Sequence, residues 1–305
     1  MSAEKEQCCS WSEYEKEFPF FSDQTLRPGC HPRKLLQTKQ TGKAIVLVHG
    51  LTDSPFYMLA IAKYFHNFLG YNVFMPLLQR HGMKHPEGMA GVTLEQWNKN
   101  VAFAIRAAAE TADRVSVGGL STGGALSLYL GGTDSTVTGD VYLFSAALGL
   151  YGGPFGFMGD LVEILLRRTV VRYLDNGKHL VGNHPYRYDR VPLNSAAELS
   201  RLILKIDGML KNPSGAIRKK RIFAAWSECD RVVSVRKLNQ LKNIINNNQF
   251  FSFVVPQKKQ VDHACVVLDQ PIYATGSHPG DAPLEKANPS FAEMMTALSK
   301  FESAI

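Results

Sequence analysis

Ser121 lies in Gly118-Gly119-Leu120-Ser121-Thr122-Gly123-Gly124, with a glycine two positions before it and another two positions after it. The stretch follows the short apolar run Val115-Ser116-Val117. It precedes Ala125-Leu126-Ser127-Leu128-Tyr129-Leu130, whose composition suits a helix. A serine between two such glycines, at a strand-to-helix junction, has the pattern of a nucleophile elbow. The turn is too tight for a side chain at either glycine, and it lifts the hydroxyl to the end of a sheet where a substrate can reach it. The chemistry this suits is acyl transfer through a covalent serine intermediate. A glycine-rich loop is the alternative, and the flanking strand and helix weigh against it.

A serine hydroxyl at neutral pH needs a base, and the base needs a carboxylate to fix its tautomer. After such an elbow the acid precedes the histidine in chain order. The apolar run Arg221-Ile222-Phe223-Ala224-Ala225-Trp226 reads as a buried strand and ends in Ser227-Glu228-Cys229-Asp230-Arg231-Val232-Val233. Asp230 therefore falls just beyond a strand's carboxyl end, where open α/β sheets meet their ligands. Glu228 is its rival. Helix capping is the competing role for Asp230, but Ser234 stands better for capping the following segment, 234–246. Of the nine histidines, only His263 and His278 follow Asp230. His263 follows the strand-like Phe250–Val255 and the loop opened by Pro256, whereas His278 sits in the breaker-rich Thr275-Gly276-Ser277-His278-Pro279-Gly280.

The developing oxyanion needs preset N–H donors. One is expected from Thr122, the residue after the serine, and one from the loop after an earlier strand. Ala44-Ile45-Val46-Leu47-Val48 is a continuous apolar run, as a parallel strand buried on both faces requires, and it ends in His49-Gly50-Leu51. Gly50 lets the backbone turn in beside the elbow, which makes Leu51 the second donor. His49 is expected to be a structural residue, hydrogen-bonded beneath this loop.

Together, Val48-His49-Gly50-Leu51, Gly119-Leu120-Ser121-Thr122-Gly123-Gly124, Asp230 before Val233, and His263 with Asp269 six residues on resemble the α/β-hydrolase superfamily. Within it the likeness is to bacterial carboxylesterases and monoacylglycerol lipases. Met75-Pro76-Leu77-Leu78-Gln79-Arg80-His81-Gly82 resembles that group's Gly-His-Gly segment, with Arg80 in place of the first glycine. Trp97 resembles a tryptophan opening the helix before the elbow strand. The likeness covers roughly 42–149 and 217–305. It implies Ser121 as nucleophile, Asp230 as acid and His263 as base, with Leu51 and Thr122 as the oxyanion hole and no metal or organic cofactor. Two departures are Cys229 before the acid and Asp262 before the base. Asp262 would raise the His263 pKa and move the pH optimum upward.

These residues need a scaffold. Strands at 44–48, 72–76, 114–118, 139–145 and 221–226 alternate with helices at 56–68 and 94–112 and with the elbow helix from Thr122. Such alternation argues for a doubly wound, mainly parallel sheet in one α/β domain. Residues 1–41 form an extension expected to pack on the core, with Phe18-Pro19-Phe20-Phe21 as its apolar centre. Residues 150–216 interrupt the alternation. Their segment 157–174 carries Leu161, Ile164, Leu165 and Val171 on a helical face, and 195–210 carries Leu199, Leu202, Ile203, Ile206 and Leu210. The resemblance makes this insertion a helical lid, which would exclude water and line an acyl pocket. An apolar lid suits a short- or medium-chain acyl group, including that of a monoacylglycerol.

Composition adds bounds. The 305 residues are 45% hydrophobic and 20% charged, ordinary for a globular enzyme. No apolar run of membrane-spanning length occurs. The first eleven residues lack the apolar centre of a secretory signal, which points to the cytoplasm unless an export signal has been removed. The net charge of +7 suits an anionic membrane surface or acidic substrates, against the plainer reading of a solvated surface. Nothing resembles a nucleic-acid module. Five cysteines, Cys8, Cys9, Cys30, Cys229 and Cys265, fit no zinc spacing and suit reduced thiols, although Cys229 and Cys265 flank the acid and the base. The expected function is hydrolysis of a small-molecule or lipid ester. Acyl transfer to another acceptor, thioester cleavage and peptide cleavage use the same groups, and a non-catalytic binding protein on this scaffold would be expected to have lost some of them.

Overall fold

The computed structural model describes residues 11–20, 22, 24–153, 158–168, 174, 177–213, 215–245 and 248–304. Helix α1 (Ser12–Glu17) leads to strands β1 (Arg33–Leu35) and β2 (Lys43–Val48). Helix α2 (Leu59–Leu69), β3 (Asn72–Met75), α3 (Leu94–Ala109), β4 (Arg114–Leu120), α4 (Thr122–Thr133) and β5 (Val141–Phe144) follow in strict alternation. Helices α5 (Met158–Leu166), α6 (Leu193–Lys211) and α7 (Gly215–Arg218) come next, then β6 (Ile222–Ser227), α8 (Val235–Ile244), β7 (Phe250–Val255) and α9 (Phe291–Ser303).

The seven strands form one sheet in the order β1-β3-β2-β4-β5-β6-β7. All pairs are parallel except β1 with β3. Period-two alternation divides the core between the sheet's faces. Ala44, Val46 and Val48 join one apolar cluster with α3, α4 and α6, while Ile45 and Leu47 join the other with α2 and α9. The central strands are therefore apolar on both faces, and that shows in their sequence.

Three elements depart from the sequence reading. The antiparallel β1 lies within the stretch expected to be an extension, and its three residues are too few for a periodic signal. The anchors of that extension are Trp11 and Tyr14, both fully buried and packed with Phe18, Phe74 and Phe103. Phe20 is exposed, and Phe21 lies outside the described residues, as do Cys8 and Cys9. Each of the two buried rings contributes about 3 kcal/mol of apolar burial.

Between β5 and β6 the two predicted amphipathic faces behave oppositely. The face of α6 built from Leu199, Leu202, Ile203 and Ile206 is buried in the core, against α4. Helix α5 presents Leu161, Ile164 and Leu165 to solvent and buries Glu163, whose carboxylate accepts the Leu150 N–H at 2.8 Å. The helix ends at Leu166, and Val171 lies outside the described residues. Ser234 occupies the N-cap position of α8 without a side-chain capping bond. Cys229 and Cys265 are free thiols. Among the described residues, no helix is long and apolar enough to cross a membrane.

Candidate active site

Ser121 joins β4 to α4 with φ 54° and ψ −116°. This is a sparsely populated region for an L-residue and costs roughly 1–3 kcal/mol. The surroundings enforce it. A Cβ on Gly119 would stand 2.4 Å from the Val48 carbonyl oxygen, and one on Gly123 would stand 2.0 Å from the same atom. Only glycine fits at either place, because the backbones of β2, β4 and α4 meet there. The Ser121 N–H donates to Phe144 O (2.9 Å), and Ser121 O accepts from Ala125 and Ala147 (both 3.0 Å). The strained residue is thus fixed on both sides.

The acid and base candidates lie beyond the carboxyl ends of β6 and β7, on the same edge of the sheet as Ser121. His263 Nδ1 donates to Asp230 Oδ2 at 2.7 Å. Asp230 Oδ1 accepts the N–H groups of Val232 (2.9 Å) and Val233 (3.1 Å). Burial pushes the Asp230 carboxyl up. The bond and charge of His263 and the two backbone donors outweigh this and hold it below its usual value. Because Nδ1 is the donor to Asp230, the neutral His263 ring presents Nε2 as an acceptor. That atom is buried and has no hydrogen-bond partner among the described residues. No hydrogen bond links Ser121 to His263.

The rivals are elsewhere. Glu228 is exposed, and its carboxylate accepts the Gln257 N–H at 2.7 Å. His278 is exposed on a turn closed by Asp281. Asp262 is also exposed, although it neighbours His263 in sequence.

His49 is buried and hydrogen-bonded at both ring nitrogens. It donates from Nδ1 to Gly50 O (2.8 Å) and accepts the Leu78 N–H at Nε2 (3.1 Å). Burial and the neighbouring His81 push its pKa well below the usual value, so it stays neutral. The bond to Gly50 O fixes the plane of the Gly50–Leu51 peptide. In a trans peptide the Leu51 N–H must then point the opposite way. His81 donates from Nε2 to Leu51 O at 2.6 Å and holds the next peptide. The N–H groups of Leu51 and Thr122 donate to no other described group.

The sequence reading missed a polar group beside this loop, built from the buried Asp53 and His184 and the partly exposed Arg187 and Glu285. Arg187 Nη2 donates to Thr52 Oγ1 (3.1 Å), Arg187 Nε lies 3.5 Å from Asp53 Oδ1, and Arg187 Nη1 donates to Glu285 Oε1. The Tyr188 N–H donates to Thr52 O (2.9 Å). Three distant stretches of chain meet here with no shared local pattern. Only the place of Asp53, two residues after Leu51, hinted at it. Among the described residues, no cluster of His, Cys, Asp and Glu has the arrangement of a metal site.

No family model matches the sequence. The chain is 30% identical over 175 residues to a thermostable monoacylglycerol lipase from Bacillus sp. (strain H-257). The match covers 54% of this chain and 64% of that protein, less than two thirds of its length. Among solved structures, one from work on the metagenome-derived lipolytic enzymes LipS and LipT superposes with a TM-score of 0.66 at 20% identity, over 91% of this chain and 99% of the other. A soluble variant of monoglyceride lipase from Saccharomyces cerevisiae, in complex with a substrate analog, gives 0.58 at 14% identity, over 92% and 98%. A mainly parallel seven-stranded sheet flanked by helices, with a strained serine at the strand-to-helix turn and these structural neighbours, makes this chain a protein of the α/β-hydrolase fold.

Proposed function

We propose that the protein is a serine-dependent hydrolase of carboxylic esters, of carboxylesterase or monoacylglycerol-lipase type. The observation that carries this reading is the His263–Asp230 pair, whose imidazole Nε2 is buried without a partner on the sheet edge that presents Ser121. An acceptor nitrogen kept dry and unpaired is costly unless something else comes to bind it. In this reading the Ser121 hydroxyl donates to Nε2 when a substrate is bound, since such bonds are often long in a resting site.

Ser121 Oγ attacks the ester carbonyl as His263 Nε2 takes its proton. Asp230 stabilises the imidazolium and remains a carboxylate. The Leu51 and Thr122 N–H groups receive the oxyanion, and the His49 bond to Gly50 O holds the first of them in place. The tetrahedral intermediate collapses, and the alcohol leaves with the proton from His263. Water, deprotonated by the same nitrogen, cleaves the acyl-enzyme through a second oxyanion and regenerates Ser121.

The substrate class follows from weaker support. The relative that matches in sequence is a monoacylglycerol lipase. Leu161, Ile164 and Leu165 on α5 and Leu204 on α6 are exposed apolar residues of the insertion between β5 and β6. A lipid ester as substrate, with α5 as part of a cover over the serine, accommodates both facts. The test is a series of p-nitrophenyl esters of graded acyl length, run with Ser121→Ala and with a fluorophosphonate probe. The reading expects hydrolysis and labelling by the unaltered protein and neither by the variant. Labelling without hydrolysis of any ester would move the assignment to acyl transfer or peptide cleavage, and no labelling would reject the catalytic serine.

A further inference from the structure

Asp53 is 4% exposed, and its two carboxylate oxygens have different surroundings. Oδ1 accepts from Thr52 Oγ1 at 3.1 Å and lies 3.5 Å from Arg187 Nε. Oδ2 takes no hydrogen bond from any described residue and is turned toward Gly50. A Cβ built on Gly50 would stand 2.2 Å from Asp53 Oδ2 and 3.4 Å from Ser121 Cβ. The unpaired oxygen and the serine side chain therefore flank the same glycine. Oδ2 is not among the enclosed atoms left unpaired, so a small molecule can reach it, and a carboxylate oxygen next to an oxyanion site opposes the charge that forms there. That repulsion is offset by nothing Oδ2 does in the fold.

The surrounding frame holds the carboxylate still. Arg187 is shared between Asp53, Thr52 and Glu285. The carbonyls of His184 and Arg187 both accept from Arg27, at 2.9 Å for Arg187 O. Phe56 stacks on Tyr186 with ring centroids 3.5 Å apart. An acceptor pre-organised in this way binds a donor without paying for its own ordering.

We propose that Asp53 Oδ2 is a specificity group, accepting a hydrogen bond from a hydroxyl on the alcohol part of the ester, so that polyol esters are cleaved in preference to simple alkyl esters of the same acid. The inference rests on the ester-hydrolase reading above and deepens it. A hydroxyl fits better than an ammonium group because Arg187 already offsets the charge of Asp53, leaving acceptor capacity rather than a free charge. The alcohol part is the source because an acyl chain carries no donor. A bound hydroxyl also places a dipole between Oδ2 and the oxyanion and so relieves their repulsion.

The experiment compares kcat/KM for glyceryl monobutyrate and propyl butyrate in the unaltered protein, Asp53→Ala and Asp53→Asn. The unaltered protein is expected to favour the glyceryl ester. The ratio of the two values is expected to fall about tenfold or more in Asp53→Ala, as loss of a hydrogen bond to a charged group implies. It falls less in Asp53→Asn, which keeps the shape and a carbonyl acceptor. Should Asp53→Ala fail to fold, Asp53→Asn with a matching melting curve decides by the same ratio. Equal loss on both esters makes Asp53 merely structural and overturns the proposal. So does an unaltered protein with no glyceryl preference, or one that prefers 2-(trimethylammonio)ethyl butyrate to both esters. If neither ester is turned over and Ser121 takes no fluorophosphonate, the ester reading itself fails, which is a distinguishable result.

Discussion

The two edges of the sheet hold buried polar groups of similar composition arranged to opposite ends. At the amino ends of the strands, Glu302 of α9 accepts from Tyr71 (2.9 Å) and from Tyr142, one hydroxyl to each carboxylate oxygen. Asp140 accepts from Arg114 (2.7 Å) and Arg221 (3.4 Å). These carboxylates have their partners within the fold. At the carboxyl ends, His263 Nε2, Asp53 Oδ2 and the N–H groups of Leu51 and Thr122 lack partners among the described residues, and Ser121 has a strained backbone. The first edge gains stability from its polar groups. The second keeps donors and acceptors open, and such groups are retained where a ligand completes them.

This contrast is sharpest under mutation. Ser121→Ala and His263→Ala should lower ester turnover by about 10⁴-fold or more, and Asp230→Asn by about 10⁴-fold, Ser121→Ala with a melting temperature near that of the unaltered protein. Steady-state kinetics beside thermal unfolding would check both halves, and a large drop in melting temperature for Ser121→Ala would break the contrast. Glu302→Gln at the opposite edge should do the reverse. We expect it to cost about 1–3 kcal/mol of stability while the folded fraction labels with fluorophosphonate at the usual rate. Denaturant unfolding paired with labelling kinetics reads this directly.

Acid should separate the two edges again. His49 and His81 are held below the usual histidine value by burial, and His184 is lowered to about 4 for the same reason, with Arg187 and Arg27 adding to it. A base with a depressed folded pKa binds more protons when unfolded. Stability is therefore full above about 6.5 and declines as pH falls toward about 4. The Asp230 carboxyl, also lowered, contributes stability that is lost at still more acid pH, as it protonates in the fold. Melting temperature measured against pH should fall through this window, and His184→Gln should flatten the part above pH 4. The smallest effect is expected from Asp262→Asn. The carboxylate is exposed and screened, so the pH–rate profile should move by no more than a few tenths of a unit.

The catalytic candidates were legible because their signals are local. The glycines flanking Ser121 are forced by contacts with Val48 that recur at any elbow of this kind. The loops after β2 and β6 follow strands whose apolar runs mark their own ends. Helix α6 was legible for the same reason, since its buried face repeats at three-to-four spacing. By contrast, α5 has a similar apolar repeat but turns it outward, and periodicity cannot say which way a face points. Strand β1 is three residues long and owes its conformation to pairing with β3. Trp11 and Tyr14 became anchors because Phe74 and Phe103 form a surface for them, which no nearby residue announces.

By itself the chain determined the alternation of strands and helices, the strand-to-helix turn at Ser121 and the order in which the candidate acid and base follow, because each depends on contacts within a few residues or on a repeat along one element. Tertiary structure alone decided between Asp230 and its rival Glu228 as the holder of His263, and brought Arg187 to Thr52, Asp53 and Glu285 at once. Those outcomes depend on where separate elements dock, and docking is set by the shape and burial of the whole core rather than by any short stretch of residues.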